Sequence, residues 1–239
     1  MTAASVESAQ DRYRAVARLL LVVVGIDVVL VLVNFADPPS FLNLDEEKNF
    51  PTWYSSAKLL ATAFAAIGCR VLEPDSLRRG ARGLVWPAVA VIFVGLSMDE
   101  TSTAHERLAA WIMSGDRIDS LRTRLLGGDA AKDAFLWPVL FAPVIVAVAY
   151  FLVTALYSRM KHDRPNLLLG LAGCAAFLAA VALEGPAVYM SPPIDAWGDA
   201  EIARYSFFVR LEESAEIFGA TMMLASLLLH ARQLAGKRC

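Results

Sequence analysis

The sequence predicts an all-α polytopic membrane bundle with six transmembrane helices and both termini in the cytoplasm, and three observations predict it. Of 239 residues, 57% are hydrophobic and only 19% charged, against roughly 45–50% and a quarter in soluble domains. The apolar residues gather in six blocks of about 20 or more, the length at which a helix crosses about 30 Å of hydrocarbon. The Lys and Arg residues gather between those blocks, with a bias to one side. A soluble globule, a disordered chain and a secreted disulfide scaffold are excluded on these grounds.

The elements follow in order. The first span, about 15–35, follows Arg12, Arg14 and Arg18. Its apolar stretch is long for a signal peptide, and Val33-Asn34-Phe35-Ala36 is a poor cleavage site, so it reads as a retained helix. The remaining spans fall at about 51–72, 84–106, 134–157, 165–190 and 207–231. All must be helical, because lipid offers no partner to an open backbone group. The six spans form a single transmembrane domain over 1–239. In the loop after the third span, Ile118, Leu121 and Leu125 share a face over 117–126, with Arg122 and Arg124 off it. That segment reads either as an amphipathic helix on the outer membrane surface or as a helix capping the bundle.

Orientation comes from the loop charges. One side collects Arg12, Arg14, Arg18, Arg70, Arg78, Arg79, Arg82, Arg159, Lys161, Arg164, Arg232, Lys237 and Arg238, which is 13 basic residues. The other collects Lys48, Arg107, Arg117, Arg122, Arg124, Lys132, Arg204 and Arg210, which is 8. The richer side is cytoplasmic, and the membrane is the plasma membrane. Cys69, Cys174 and Cys239 show no Cys-x-x-Cys spacing, so neither a disulfide nor a thiolate metal site is expected.

Charges inside the spans carry the functional reading, because an ionisable group near the bilayer centre costs about 2.5–3.5 kcal/mol even on insertion scales. By depth, Asp27, Lys58, Asp99, Glu100, Glu184, Arg210, Glu212, Glu213 and Glu216 all fall in the outer half. No comparable set is evident in the inner half. Seven acids face two bases, so salt bridging alone leaves a surplus of five that must be protonated, hydrated or bound to a cation. Ordinary roles are available to some. Glu212 and Glu213, with Asp45, Glu46 and Glu47, stand near helix starts where the dipole favours acids. Asp27 and Lys58 are charge partners that a buried salt bridge would explain. Asp99, Glu100 and Glu184 instead lie toward helix C-terminal ends, and Glu216 lies beyond any capping position. Gly185-Pro186 beside Glu184 breaks the helix and frees a carbonyl.

Carboxylates with one His suit a hard or borderline divalent cation. The expected ligands are Asp99, Glu184, Glu212 and Glu216, with Glu100 or His105 as general base on a lipid-like substrate. No straight helix presents Asp99, Glu100 and His105 on one face, so two of the three are expected at the cavity. Ser97, Asp99 and His105 in one helix resemble the alkaline ceramidase and adiponectin-receptor group of membrane hydrolases. That group has seven helices and a three-His zinc centre; with six helices and one outward His here, no role transfers. His162 and His230 fall on the cytoplasmic side. No zinc-protease, nucleophile-elbow or phosphate-loop motif is present, and nucleic acid is not an expected partner. A metal-dependent membrane enzyme is thus the first reading, a proton- or cation-coupled transporter or channel the second, and a structural or sensory protein the third.

Overall fold

The computed structural model describes residues 3–36, 38–44, 48–113, 137–184 and 197–237. Among them every regular element is helical: α1 Ala3–Phe35, α2 Phe50–Leu72, α3 Asp75–Arg78, α4 Val85–Ser102, α5 Ala104–Met113, α6 Trp137–Leu140, α7 Ala142–Met160, α8 Arg164–Glu184 and α9 Asp199–Gly236. Six stretches are long and apolar enough to cross a membrane: Arg14–Phe35, Phe50–Leu72, Gly80–Ser102, Ala142–Met160, Arg164–Leu183 and Asp199–Gly236. The expected segment at 117–126, the acids Asp45, Glu46 and Glu47, the Gly185-Pro186 break and Cys239 lie outside the described residues.

Local chemistry accounts for the starts and stops. Asn49 caps α2 by accepting the Thr52 N–H at 3.2 Å, and Pro51 occupies the first turn, where no intrahelical N–H is needed. The Gly198 N–H donates to the Glu201 carboxylate at 3.1 Å at the start of α9. That helix is about 57 Å long at 1.5 Å per residue, more than the hydrocarbon core requires. It begins eight residues before the expected start at 207, because Asp199 and Glu201 make a favourable first turn outside the apolar block. Pro138 and Pro143 fall in the segment where α6 gives way to α7, so the fourth span opens at Ala142 rather than 134.

The third span differs most from expectation. Instead of running to 106, α4 stops at Ser102 because Thr103 takes a left-handed conformation (φ +46°), its N–H closing onto the Asp99 carbonyl at 2.7 Å. A β-branched residue in that region costs about 1–3 kcal/mol and persists only where surrounding contacts hold it. The contact here is Asp99, whose carboxylate accepts the His105 N–H at 3.0 Å and so caps α5.

The spans alternate in direction, so the ends of α2, α7 and α9 near Glu73, Met160 and His230 gather at one end of the bundle. His105, Trp137 and Tyr205 gather at the other. The core between them is built on Leu59, Ala66, Trp86, Phe93, Leu156, Met223 and Leu227. Lipid is as apolar as these side chains, so close packing rather than water exclusion must hold the helices together. α8 and α9 meet through glycines: a Cβ on Gly173 would lie 3.1 Å from both the Gly219 carbonyl and the Met223 nitrogen. α2 and α4 are clamped reciprocally, Ser56 Oγ donating to the Ser97 carbonyl and Ser97 Oγ to the Ser56 carbonyl, each at 2.9 Å. Ser97 is thereby a packing residue.

Candidate functional site

A cavity of about 440 Å³ opens at the His105 end between α2, α4, α7, α8 and α9. Its depth follows from the helices that line it: Pro51 to Leu59 on α2 is about 12 Å, and Tyr205 to Glu216 on α9 about 16 Å, at 1.5 Å per residue. Its apolar lining comes chiefly from α2, α7 and α8, with Leu59, Ile145, Leu152, Phe177 and Val181. The carboxylates come from α4, α5 and α9, with Asp99, Glu100, Glu106, Glu212, Glu213 and Glu216, and His105 joins them. No Lys or Arg is among the described lining residues.

The break at Thr103 determines the mouth. On an unbroken helix six residues of separation would put Asp99 and His105 about 120° apart around the axis. Released from that geometry, His105 folds back so that its Nδ1 lies 2.6 Å from Asp99 Oδ2, while its ring packs on Trp137 at 4.3 Å between centroids. Asp99, Glu100 and His105 therefore all line the cavity, where two of the three were expected. Asp99 accepts from both the backbone and the ring of His105, which fixes the ring's orientation.

Asp27 and Lys58 are also brought together, below the cavity rather than in it. Lys58 Nζ lies 2.9 Å from Asp27 Oδ1, 2.9 Å from the Ile217 carbonyl and 3.1 Å from Thr221 Oγ1, and Thr221 donates to Asp27 Oδ2 at 2.6 Å. Tyr54 places its ring 4.5 Å beneath the ammonium and donates its hydroxyl to the Val23 carbonyl at 3.0 Å. An ammonium has three protons, and all three are taken here. Lys58 thus joins α1, α2 and α9 and has no hydrogen left for the cavity acids.

The other predicted acids divide. Glu216 and Glu100 face the cavity from α9 and α4, and neither has a hydrogen-bond or ion-pair partner among the described residues. Glu212 and Glu213 line it too, but the dipole role expected for them does not hold. α9 starts at Asp199, more than three turns earlier, and the dipole's effect fades within the first turn. Glu184 closes α8, and its side chain lies outside the described part of the structure. Among the described residues no three His, Cys, Asp or Glu side chains are grouped as a metal site. The divalent ion expected from the sequence is left without an assembled ligand set there.

The Glu73 end corrects the expectation of an inner half without a comparable polar set. Glu73, 1% exposed, accepts Trp86 Nε1 at 2.7 Å and Arg159 Nη1 at 2.9 Å, and Arg159 also donates to the Arg82 carbonyl. His230, 4% exposed, pairs with Asp163 at 3.1 Å and packs against Trp86 at 5.9 Å between rings. Asp163 further accepts Asn166 Nδ2 at 2.7 Å, and Ser226 donates to the Asn166 carbonyl at 2.6 Å. Each of these residues looks in sequence like an ordinary helix-end charge; only helix pairing carries them inward. The one hint is that Glu73 and Asp163 sit at helix ends amid Arg residues that need partners.

The fold and the cavity define a class: a helical protein with six candidate membrane-spanning segments and an acidic, apolar-backed cavity at one end. More particularly, the chain belongs to the family described as Domain of unknown function (DUF8692), whose model matches residues 15–231. No curated protein and no solved structure matches it.

Proposed function

We propose that this chain takes up a lipid-like amphiphile with a cationic, amine-type head, and that Asp99–His105 is the proton-transfer pair at the mouth of its site. The observation that carries the reading is the cavity's mixed lining, apolar side chains chiefly from α7 and α8 and carboxylates from α4, α5 and α9, with no Lys or Arg in the described lining and Lys58 fully engaged below it. Pockets of this kind hold a ligand by apolar area and orient it by a few polar groups. Glu100 and Glu216 would hold the head. Glu100 is then a head-group partner rather than a base, since His105 is the residue whose orientation a neighbour fixes. A His held through Nδ1 by a carboxylate has the arrangement of a general base acting at Nε2. With the basic-rich side in the cytoplasm, the cavity opens outward.

The test is binding of dodecylamine against dodecanoate, read by quenching of tryptophan fluorescence, which Trp137 at the mouth would report. The amine should bind and the carboxylate should not. Glu216→Gln and Glu100→Gln should each weaken the amine about tenfold or more, the value of a charge-assisted hydrogen bond at about 1.5–3 kcal/mol. Equal binding of the two surfactants would sink the reading. Stoichiometric retention of a divalent ion by the purified protein, lost in Glu216→Gln, would put the metal-dependent enzyme in its place.

A second reading has one observation in its favour. Buried charged residues at the Glu73 end, facing an open cavity at the other, are the arrangement of a transporter closed at one side. Proton or rubidium flux into proteoliposomes, abolished by Glu216→Gln, would select it.

A further inference from the structure

The cavity has a second boundary besides its mouth. Between α4 and α7 lies a groove lined by Val91, Ile92, Val144, Ala147, Val148 and Phe151, whose lining is almost wholly apolar. Val144 and Val148 belong to both spaces: one side of each borders the groove and the other borders the cavity. α7 packs chiefly on α8 and only lightly on α4, so the seam between α4 and α7 is loosely closed. On α7 the groove runs from Pro143 to Phe151, about 12 Å at 1.5 Å per residue. On α4 it reaches Ala88, about 18 Å deeper than Glu100 by the same rise, which is well inside the hydrocarbon layer.

We infer that the α4–α7 seam is a lateral portal, and that the groove holds the alkyl chain of a bilayer amphiphile whose amine head lies at Glu100 and Glu216. The occupant follows from adjacency and charge. The groove offers no polar partner, so it suits only a hydrocarbon chain. Two valines separate it from a space that α4 and α9 line with carboxylates. One molecule with an apolar tail and a cationic head satisfies both walls at once, and it reaches them from the membrane without crossing the aqueous mouth. The inference rests on the amine-head reading above and adds the route and the place of the tail.

Two photoreactive hexadecylamines in phosphatidylcholine proteoliposomes test it, one with its diazirine beside the amine and one with it near the chain end. After illumination and proteolysis, mass spectrometry locates the adducts. The head-proximal probe should mark the cavity wall, at Phe177 or Val181. The chain-end probe should mark the groove, at Ile92 or Phe151. Val91 is 71% exposed, so Val91→Trp fills the groove's outer rim without disturbing the core. It should leave the melting temperature unchanged and cause a severalfold loss of groove adducts. Val148→Trp, which closes the shared wall, should cost the cavity adducts as well. If both probes mark only the cavity wall, or if Val91→Trp leaves the groove adducts intact, the portal is overturned while the amine-binding site stands. If neither probe marks the protein, both fall together.

Discussion

The two ends of this bundle hold similar residue types and use them in opposite ways. At the Glu73 end, Glu73, Arg159, Trp86, Asp163 and His230 are buried and joined to one another. At the His105 end, Glu100 and Glu216 face an open cavity and have no partner among the described residues. A paired buried charge is part of the scaffold, because removing one partner strands the other in a medium that cannot solvate it. A carboxylate without such a partner in a cavity contributes nothing comparable to the fold, which is the difference the proposed amine site rests on. Stability and binding should therefore separate by end.

The largest effects should come from the paired groups. Lys58→Ala or Glu73→Ala should each lower unfolding stability by about 3–5 kcal/mol, read as a fall in melting temperature in detergent. Replacing both members of the central pair, Asp27→Leu with Lys58→Met, should recover most of that loss; a double variant as unstable as Lys58→Ala would mean that the pair is not the unit. Next comes packing. Gly173→Leu drives a side chain into the α9 backbone 3.1 Å away and should cost about 1–3 kcal/mol or more. Smaller is the clamp between α2 and α4, where Ser56→Ala should cost about 1 kcal/mol, the net value of one hydrogen bond. The smallest shift belongs to the open end. Glu216→Gln should stay within about 0.5 kcal/mol of the parent, as substitutions outside a packed network do, while amine binding falls. A Glu216→Gln protein that melts several degrees lower would break the contrast between the ends, because it would make Glu216 a scaffold residue.

Much of this architecture was readable residue by residue. The apolar blocks marked the spans to within a few residues at most ends, since the constraint on lipid-facing backbone is strong and local. The candidate acids Asp99, Glu100, Glu212 and Glu216 were readable as well, because a charge within an apolar block stands out by depth. What was not readable depends on contacts between distant positions. Nothing in Ser102-Thr103-Ala104 announces a left-handed residue; the turn is held by Asp99 capping the next helix, and that same turn delivers His105 to Asp99. The pairing of Lys58 with Asp27 was an open alternative in sequence. Its completeness, with Thr221 and the Ile217 carbonyl taking the remaining protons, needs α9 in place.

Composition and hydropathy alone determined the helical class, the number of candidate spans and which charges fall within them, because each is a property of one segment and its solvent. The tertiary structure decided which charges are paired and which line the cavity. That difference depends on whether a partner from another helix arrives within hydrogen-bond distance. Asp27 and Glu73 receive such partners and are closed off; among the described residues Glu100 and Glu216 do not, and they face a cavity.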